Sequence, residues 1–252
     1  MGGGDITSAF ESHGWIVRGR IATLDLTMDR ETLEFYDRTA GETSARYRAM
    51  DLSAWRQQSL QIFPARGRVL DVGAGSGRDL ALLLSMRFQA YGVEPAEGMR
   101  AEAVRTYPQL EGRIFPFGLP LPGDADVGLP FDGVVCSAVL MHLPESELSD
   151  AVLSLRRVLR EKGRLWISVS GSRPGLNEEN RDDTGRLFTR LNPECLVLLI
   201  EGLKFQLLRR WEEADRLGRP SIRWNNLLLN SMAGEEREPR RQPRCGANLI
   251  VG

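Results

Sequence analysis

The sequence predicts an α/β fold: a parallel β-sheet covered by helices on both faces. Three observations predict it. Apolar strand-like runs near 68–72, 88–94, 112–117, 132–137 and 164–170 alternate with helical stretches near 77–86, 97–107 and 144–161. The first run, Val69-Leu70-Asp71-Val72, passes straight into the turn Gly73-Ala74-Gly75-Ser76-Gly77, which opens a helix. The second run ends in an acid, Glu94, about 20 residues past that turn, the reach of one βαβ step.

A chain of 252 residues can form one such domain with a substantial core. Its 33 Lys plus Arg balance 34 Asp plus Glu, so no global basic excess calls for nucleic acid or a membrane surface. Cys136, Cys195 and Cys245 stand far apart, with neither zinc spacing nor a disulfide framework. A reducing cytoplasm is therefore the expected home, and no metal site is expected. No long uncharged apolar run is present, and Met1-Gly2-Gly3-Gly4-Asp5 lacks the basic and apolar regions of a signal peptide.

The elements follow in order. Residues 1–28 show little periodicity and are expected to be poorly structured. From Asp29, a candidate N-cap, a front helical segment runs over 29–62, with Leu33, Tyr36, Ala40, Tyr47 and Trp55 on apolar faces. The glycines after Asp71 let the backbone turn tightly and a ligand approach closer than a Cβ permits. Their spacing is Gly-x-Gly-x-Gly. The dinucleotide fingerprint has its third glycine one residue later, where this chain has Arg78, which disfavours a nicotinamide dehydrogenase. The helix over 144–161 opens at Leu143-Pro144-Glu145 and stops at Lys162-Gly163, with proline in the first turn and basic residues in the last. A strand, Arg164 to Ser170, and a polar loop over 171–181 follow. A helix near 193–202 and two strand-like runs, Lys204 to Trp211 and Ile222 to Leu229, close the pattern. The tail over 231–252, rich in Arg, Glu, Pro and Gly, is expected to be disordered.

Gly-x-Gly-x-Gly after Asp71, with Glu94 closing the next strand, resembles the cofactor motifs of the class I S-adenosylmethionine-dependent methyltransferases. The resemblance covers roughly residues 30–230. It implies a Rossmann-like, seven-stranded, mostly parallel sheet with a C-terminal antiparallel hairpin at one edge. It also implies S-adenosylmethionine as cofactor and S-adenosylhomocysteine as product. In that resemblance Gly73, Ala74, Gly75 and Gly77 admit the cofactor's amino-acid end, and Asp71 sets the local hydrogen bonding. Glu94 accepts from both ribose hydroxyls. Pro95 follows it, and Met99 matches the family's methionine near the adenine. Ser137 closes the fourth strand, at the sheet edge where ligands sit in open parallel sheets. The family often places an acid after the third strand to read the adenine amino group. That position falls near Leu119 here, which leaves Asp124 as the candidate, with Asp126 or backbone groups as other substitutes and a solvated loop acid as the alternative.

Phe131-Asp132 before the fourth strand and His142-Leu143 after it also match the family. His142 is the candidate general base, because its ordinary pKa lies near neutrality; shaping the turn is the alternative. The front segment is implied to fold over the cofactor, with Tyr36 and Tyr47 as aromatic lid candidates or as ordinary packing residues. Asp-x-x-Gly-Arg occurs twice, at Asp182 to Arg186 and Asp215 to Arg219. Each is turn chemistry plus a planar guanidinium. Arg186 and Arg219, with Trp224, are therefore candidates for holding an anionic group of the substrate, with internal ion pairing as the alternative.

The function expected is methyl transfer to an O or N nucleophile, with a small molecule as acceptor. An RNA or protein acceptor and a non-catalytic S-adenosylmethionine-binding protein are the alternatives. No DNA acceptor is expected. Val135, not proline, precedes Cys136, and Ser137-Ala138-Val139-Leu140 is not the Asn/Asp/Ser-Pro-Pro-aromatic motif of amino-methylating DNA enzymes.

Overall fold

The computed structural model describes residues 28–123, 125, 127–128, 130–171 and 173–232. Asp124, Asp126, Cys245 and the terminal segments 1–27 and 233–252 lie outside the described residues.

Three helices lead: α1 (Arg30–Arg38), α2 (Ala40–Arg48) and α3 (Ser53–Ile62). Asp29 caps α1, its Oδ1 accepting from the Thr32 backbone N–H at 2.9 Å. The alternating part follows as β1 (Arg68–Val72), α4 (Arg78–Ser85), β2 (Gln89–Val93), α5 (Glu97–Thr106), β3 (Ile114–Phe115) and β4 (Phe131–Ser137). It continues as α6 (Leu148–Val158), β5 (Leu159–Ser170), α7 (Pro193–Gly202), β6 (Phe205–Ala214) and β7 (Arg223–Ser231).

The seven strands form one sheet in the order β3-β2-β1-β4-β5-β7-β6. The first five in that order pair in parallel, and β7 runs antiparallel to both β5 and β6. This is the mostly parallel sheet with an edge hairpin that the motifs implied. The chain steps outward from β1 to β3, then returns to lay β4 on the other side of β1. A crevice opens at such a reversal, beyond the C-terminal ends of the strands. Val72 pairs with Val93 on one side and Cys136 on the other. Asp71, Glu94 and Ser137 are thereby delivered to the same edge.

Period-two alternation puts successive side chains on opposite faces. Leu70, Val72, Val134, Leu165 and Ile167 pack with Ala151, Val152 and Leu155 of α6. Val69, Val135 and Trp166 pack on the other face with Trp55 of α3 and with Leu80 and Leu83 of α4. Trp55 stacks on Trp166 with ring centroids 5.7 Å apart, which fixes the front helices to the sheet.

Several boundaries differ from expectation. Helix α6 begins at Leu148, after a 3-10 turn over Glu145–Glu147 that Pro144 precedes, where helix was expected from 144. Strand β3 is confined to Ile114–Phe115, where strand was expected over 112–117. The sixth helix stops at Val158, and β5 begins at Leu159, where helix was expected through 161. Phe131 pairs with Leu159 and Gly133 with Arg164, so the intervening residues bulge out of the ladder. Lys162 sits at φ 59°, and a Cβ on Gly163 would lie 2.9 Å from the Arg160 carbonyl oxygen, so only glycine fits there. The basic residues and glycine that look like a helix stop serve a bulge instead. At the other end, Ser231 belongs to β7. Its hydroxyl donates to the Arg160 carbonyl at 2.5 Å and accepts from Gly163 N–H at 3.1 Å, tying the bulge to the last strand. Among the described residues, no helix is long and apolar enough to cross a membrane.

Candidate active site

A cavity of about 360 Å³ lies at the C-terminal edge of the sheet, between the strand ends and the front helices. Its floor is the β1–α4 turn. The N–H groups of Gly73 and Ala74 both donate to the Val93 carbonyl, at 2.8 and 3.0 Å, which clamps the turn onto β2. Gly73 and Gly75 sit at φ 67° and 53°, a region that L side chains resist. A Cβ on Gly73 would lie 2.4 Å from Val139 Cγ2. A Cβ on Gly75 would make only ordinary van der Waals contacts, with Met99 Cε at 3.6 Å and the Gly73 carbonyl at 3.7 Å. Gly77 differs. A Cβ there would meet Leu110 Cδ1 at 2.4 Å and Ala103 Cβ at 2.9 Å. It lets α4 pack closely on α5 and does not line the cavity.

Two acids define this end. Glu94 is buried, its Oε2 accepting from Gly75 N–H and its Oε1 from Ala96 N–H, each at 2.9 Å. Burial raises its pKa, against the pull of those two bonds. Arg100 donates to the Glu94 and Pro95 carbonyls at 2.8 and 2.7 Å and so fixes the segment. Asp71 is 3 % exposed, and its Oδ2 has no hydrogen-bond partner among the described residues. Burial and the neighbouring Asp79 push its carboxyl well above the usual range, with Arg78 opposing. A buried acceptor without a partner is a place prepared for a donor that arrives from outside.

The other end is built by α1, the turn after β4 and the loop after β5. His142 lies in that turn, 3 % exposed. Its Nδ1 is 2.7 Å from the Leu187 carbonyl, which can only accept, so Nδ1 carries the proton. In the neutral ring Nε2 is then the acceptor, and the Tyr36 hydroxyl donates to it at 3.2 Å. Burial holds the His142 pKa down to about 4, with Arg186 and Arg173 adding to the effect. Burial also raises the Tyr36 phenol. Phe188 stands 4.7 Å from the His142 ring, and the Arg173 guanidinium lies over its face at 3.8 Å.

The repeated arginines are internally paired. Arg186 donates to Asp182 at 2.6 Å. Arg219 makes two bonds to Asp215, at 2.9 and 2.7 Å, and Trp224 Nε1 donates to the same carboxylate at 2.9 Å. Burial raises the Asp215 carboxyl, and these bonds outweigh it, holding it down to about 2.

Tyr36, Tyr47, Asp71, Gly73, Ala74, Gly75, Glu94, Pro95, Met99, Ser137, His142, Arg186, Arg219 and Trp224 all line this one cavity. Arg173, Phe188, Met141 and Ile222 line it too and were not foreseen. Phe188 sits two residues past Arg186, just beyond the Asp182 to Arg186 stretch. Arg173 had no local signal.

A family model described as "Methyltransferase domain" matches residues 44–217. The chain belongs to the S-adenosylmethionine-dependent methyltransferase family. Over 132 residues this methyltransferase-family chain is 30% identical to a methyltransferase of Staphylococcus carnosus, covering 52% of this chain and 61% of that one. Over 113 residues it is 32% identical to the protein-L-isoaspartate O-methyltransferase of Pelodictyon phaeoclathratiforme, covering 42% and 44%. The chain thus spans less than two thirds of these curated relatives. Among solved structures it resembles Burkholderia thailandensis 1,6-didemethyltoxoflavin-N1-methyltransferase, whose crystals hold 1,6-didemethyltoxoflavin and S-adenosylhomocysteine. The TM-score is 0.61 at 20% identity, over 80% of this chain and 88% of that one, a likeness of fold.

Proposed function

We propose that this chain is an S-adenosylmethionine-dependent methyltransferase that methylates an O or N nucleophile of a small molecule. One observation carries the reading. A single cavity joins two buried strand-end carboxylates and an open glycine floor at one end to a neutral His–Tyr pair at the other.

The residues fit the cofactor. Glu94 keeps lone pairs free beyond its two backbone bonds, enough for a ribose diol. Asp71 offers its unpartnered Oδ2 to the ammonium-bearing end. Gly75 leaves the floor bare, and Pro95 and Met99 give an apolar wall for the adenine. Bound there, S-adenosylmethionine supplies a methyl group already activated on a sulfonium.

The chain's own contribution is mainly positioning and exclusion of water. Tyr36 and Tyr47 on the front helices cover the cavity. A proton leaving the acceptor would reach His142 Nε2 by way of the Tyr36 hydroxyl, which takes it up as it passes its own proton on. With its pKa held to about 4, His142 is a weak base, so alignment supplies most of the rate. A protein acceptor is the second reading, favoured by the isoaspartate methyltransferase relatives. The enclosing front helices favour a small molecule.

Calorimetry with S-adenosylmethionine and S-adenosylhomocysteine tests the cofactor. Affinity for both is expected, and folded protein that binds neither overturns the reading. Production of S-adenosylhomocysteine with a metabolite fraction, but not with a protein fraction, separates the two acceptor classes.

A further inference from the structure

Arg173, Arg186 and Asp182 form a buried trio in the cavity wall built by the loop after β5. Their side chains are 17%, 12% and 6% exposed. Both guanidiniums donate to the same carboxylate oxygen, Asp182 Oδ2, Arg173 at 3.0 Å and Arg186 at 2.6 Å. Asp182 Oδ1 is taken by the backbone N–H and hydroxyl of Thr184 and by the Arg186 N–H. The neighbouring acids pair elsewhere, Asp215 with Arg219, and Asp29 together with the exposed Glu31 and Glu179 with Arg181. Two positive charges therefore share one negative charge, and one positive charge is left over against the cavity.

An unbalanced buried charge is costly, and it is tolerated where a ligand supplies the counter-charge. The strain shows in Arg173. Burial and the fields of Arg186 and Arg219 lower its pKa, with Asp182 opposing. Among the described residues Arg173 makes its one hydrogen bond through Nη2, and it lines the cavity. Its plane lies on Phe188, which fixes the fork's orientation. The rings of Tyr36, Phe188 and Trp224 line the same cavity and offer walls suited to a flat ring.

We propose that the methyl acceptor is a small aromatic carboxylic acid whose carboxylate is held by Arg173 with support from Arg186. The proposal rests on the methyltransferase reading and names its substrate class. One surplus positive charge matches a monoanion, whereas a phosphate dianion would overshoot it. The carboxylate is the anchor and not the nucleophile, because pairing with a guanidinium draws off its charge and lowers its nucleophilicity. The group that gains the methyl is a hydroxyl or amine on the same molecule, presented to Tyr36 and His142.

The test uses the full chain saturated with S-adenosylhomocysteine. A panel of one- and two-ring aromatic carboxylic acids, each paired with its carboxamide, is measured by thermal shift and then by titration of tryptophan fluorescence. At least one acid is expected to bind about tenfold or more tighter than its amide, the scale of a charge-assisted pair. Arg173→Gln is expected to erase that preference and Arg173→Lys to keep part of it. If no acid outbinds its amide, or the preference survives Arg173→Gln, the proposal is overturned. Should Arg173→Gln fail to fold, the wild-type comparison of acids with amides still decides. Failure of the underlying reading is distinguishable, because folded wild type would then not bind S-adenosylhomocysteine before any acid is added.

Discussion

The Tyr36 hydroxyl donates to Nε2 of His142 at 3.2 Å, joining the first front helix to the turn after β4 across the cavity. The contact is directional, because the Leu187 carbonyl fixes the His142 proton on Nδ1. Tyr36→Phe removes the donor and leaves a buried acceptor without a partner. Such a loss costs about 1–2 kcal/mol. The variant is expected to melt lower and to lose about tenfold in kcat/KM, with unchanged affinity for S-adenosylhomocysteine. A variant with full activity would limit Tyr36 to packing.

His142 also sets a pH dependence. Its folded pKa of about 4 lies below the unfolded value of 6.5. Between these values the unfolded chain binds a proton that the folded chain refuses. Stability from this group is therefore complete above 6.5 and is lost as the pH falls toward 4, on the order of 3 kcal/mol in full. Arg173 and Arg186 strengthen the effect, and Asp182 opposes it. Asp71 and Glu94 act with opposite sign, because burial raises their pKa values. The measurement is thus a difference: urea unfolding of wild type and His142→Asn across this pH range. The gap between them is expected to shrink steadily with acid, and a constant gap counts against a neutral buried imidazole.

What was legible in the sequence was local. Asp71, the glycine turn and Glu94 lie within one βαβ step, so their convergence follows from chain geometry alone. The sheet was legible because strands buried on both faces, such as β1 and β4, read as continuous apolar runs. The end of α6 was not. Arg160, Lys162 and Gly163 carry the chemistry of a helix stop, and only pairing of Leu159 with distant Phe131 draws them into strand. Arg173 was invisible for a related reason. Its meaning depends on Asp182 and Phe188, which the loop brings back to it, and no spacing announces that.

Asp71 presents a trade between stability and binding. Its carboxylate is buried, one oxygen is unpartnered and Asp79 repels it. Asp71→Asn keeps the shape and removes the charge. The free protein is expected to be as stable as wild type or about 1 kcal/mol more stable, since an unpaired buried charge is removed. Affinity for S-adenosylmethionine is expected to fall about tenfold, near 1.4 kcal/mol. Thermal melts and calorimetry on the same samples check both signs. Lower stability with unchanged affinity would make Asp71 a structural residue.

Gly75 and Gly77 look alike in sequence, and the structure separates them. Both adopt positive φ, 53° and 71°, so an alanine at either pays a similar backbone penalty of about 1 kcal/mol. Their surroundings differ. At Gly75, which lines the cavity, the added methyl meets nothing closer than Met99 Cε at 3.6 Å. At Gly77 it would drive into Leu110 at 2.4 Å and Ala103 at 2.9 Å, overpacking that costs about 1–3 kcal/mol more. Gly75→Ala is therefore expected to fold with only the backbone loss of about 1 kcal/mol and to bind S-adenosylhomocysteine at least about tenfold more weakly. Gly77→Ala is expected to lose stability severalfold more than Gly75→Ala. Its defect should be partly relieved by Leu110→Ala, because the double variant removes the closer clash. A double-variant cycle on unfolding free energy reads that coupling directly. If Leu110→Ala instead adds its full cost to Gly77→Ala, the clash is absent, and Gly77 must answer to the ligand as Gly75 does.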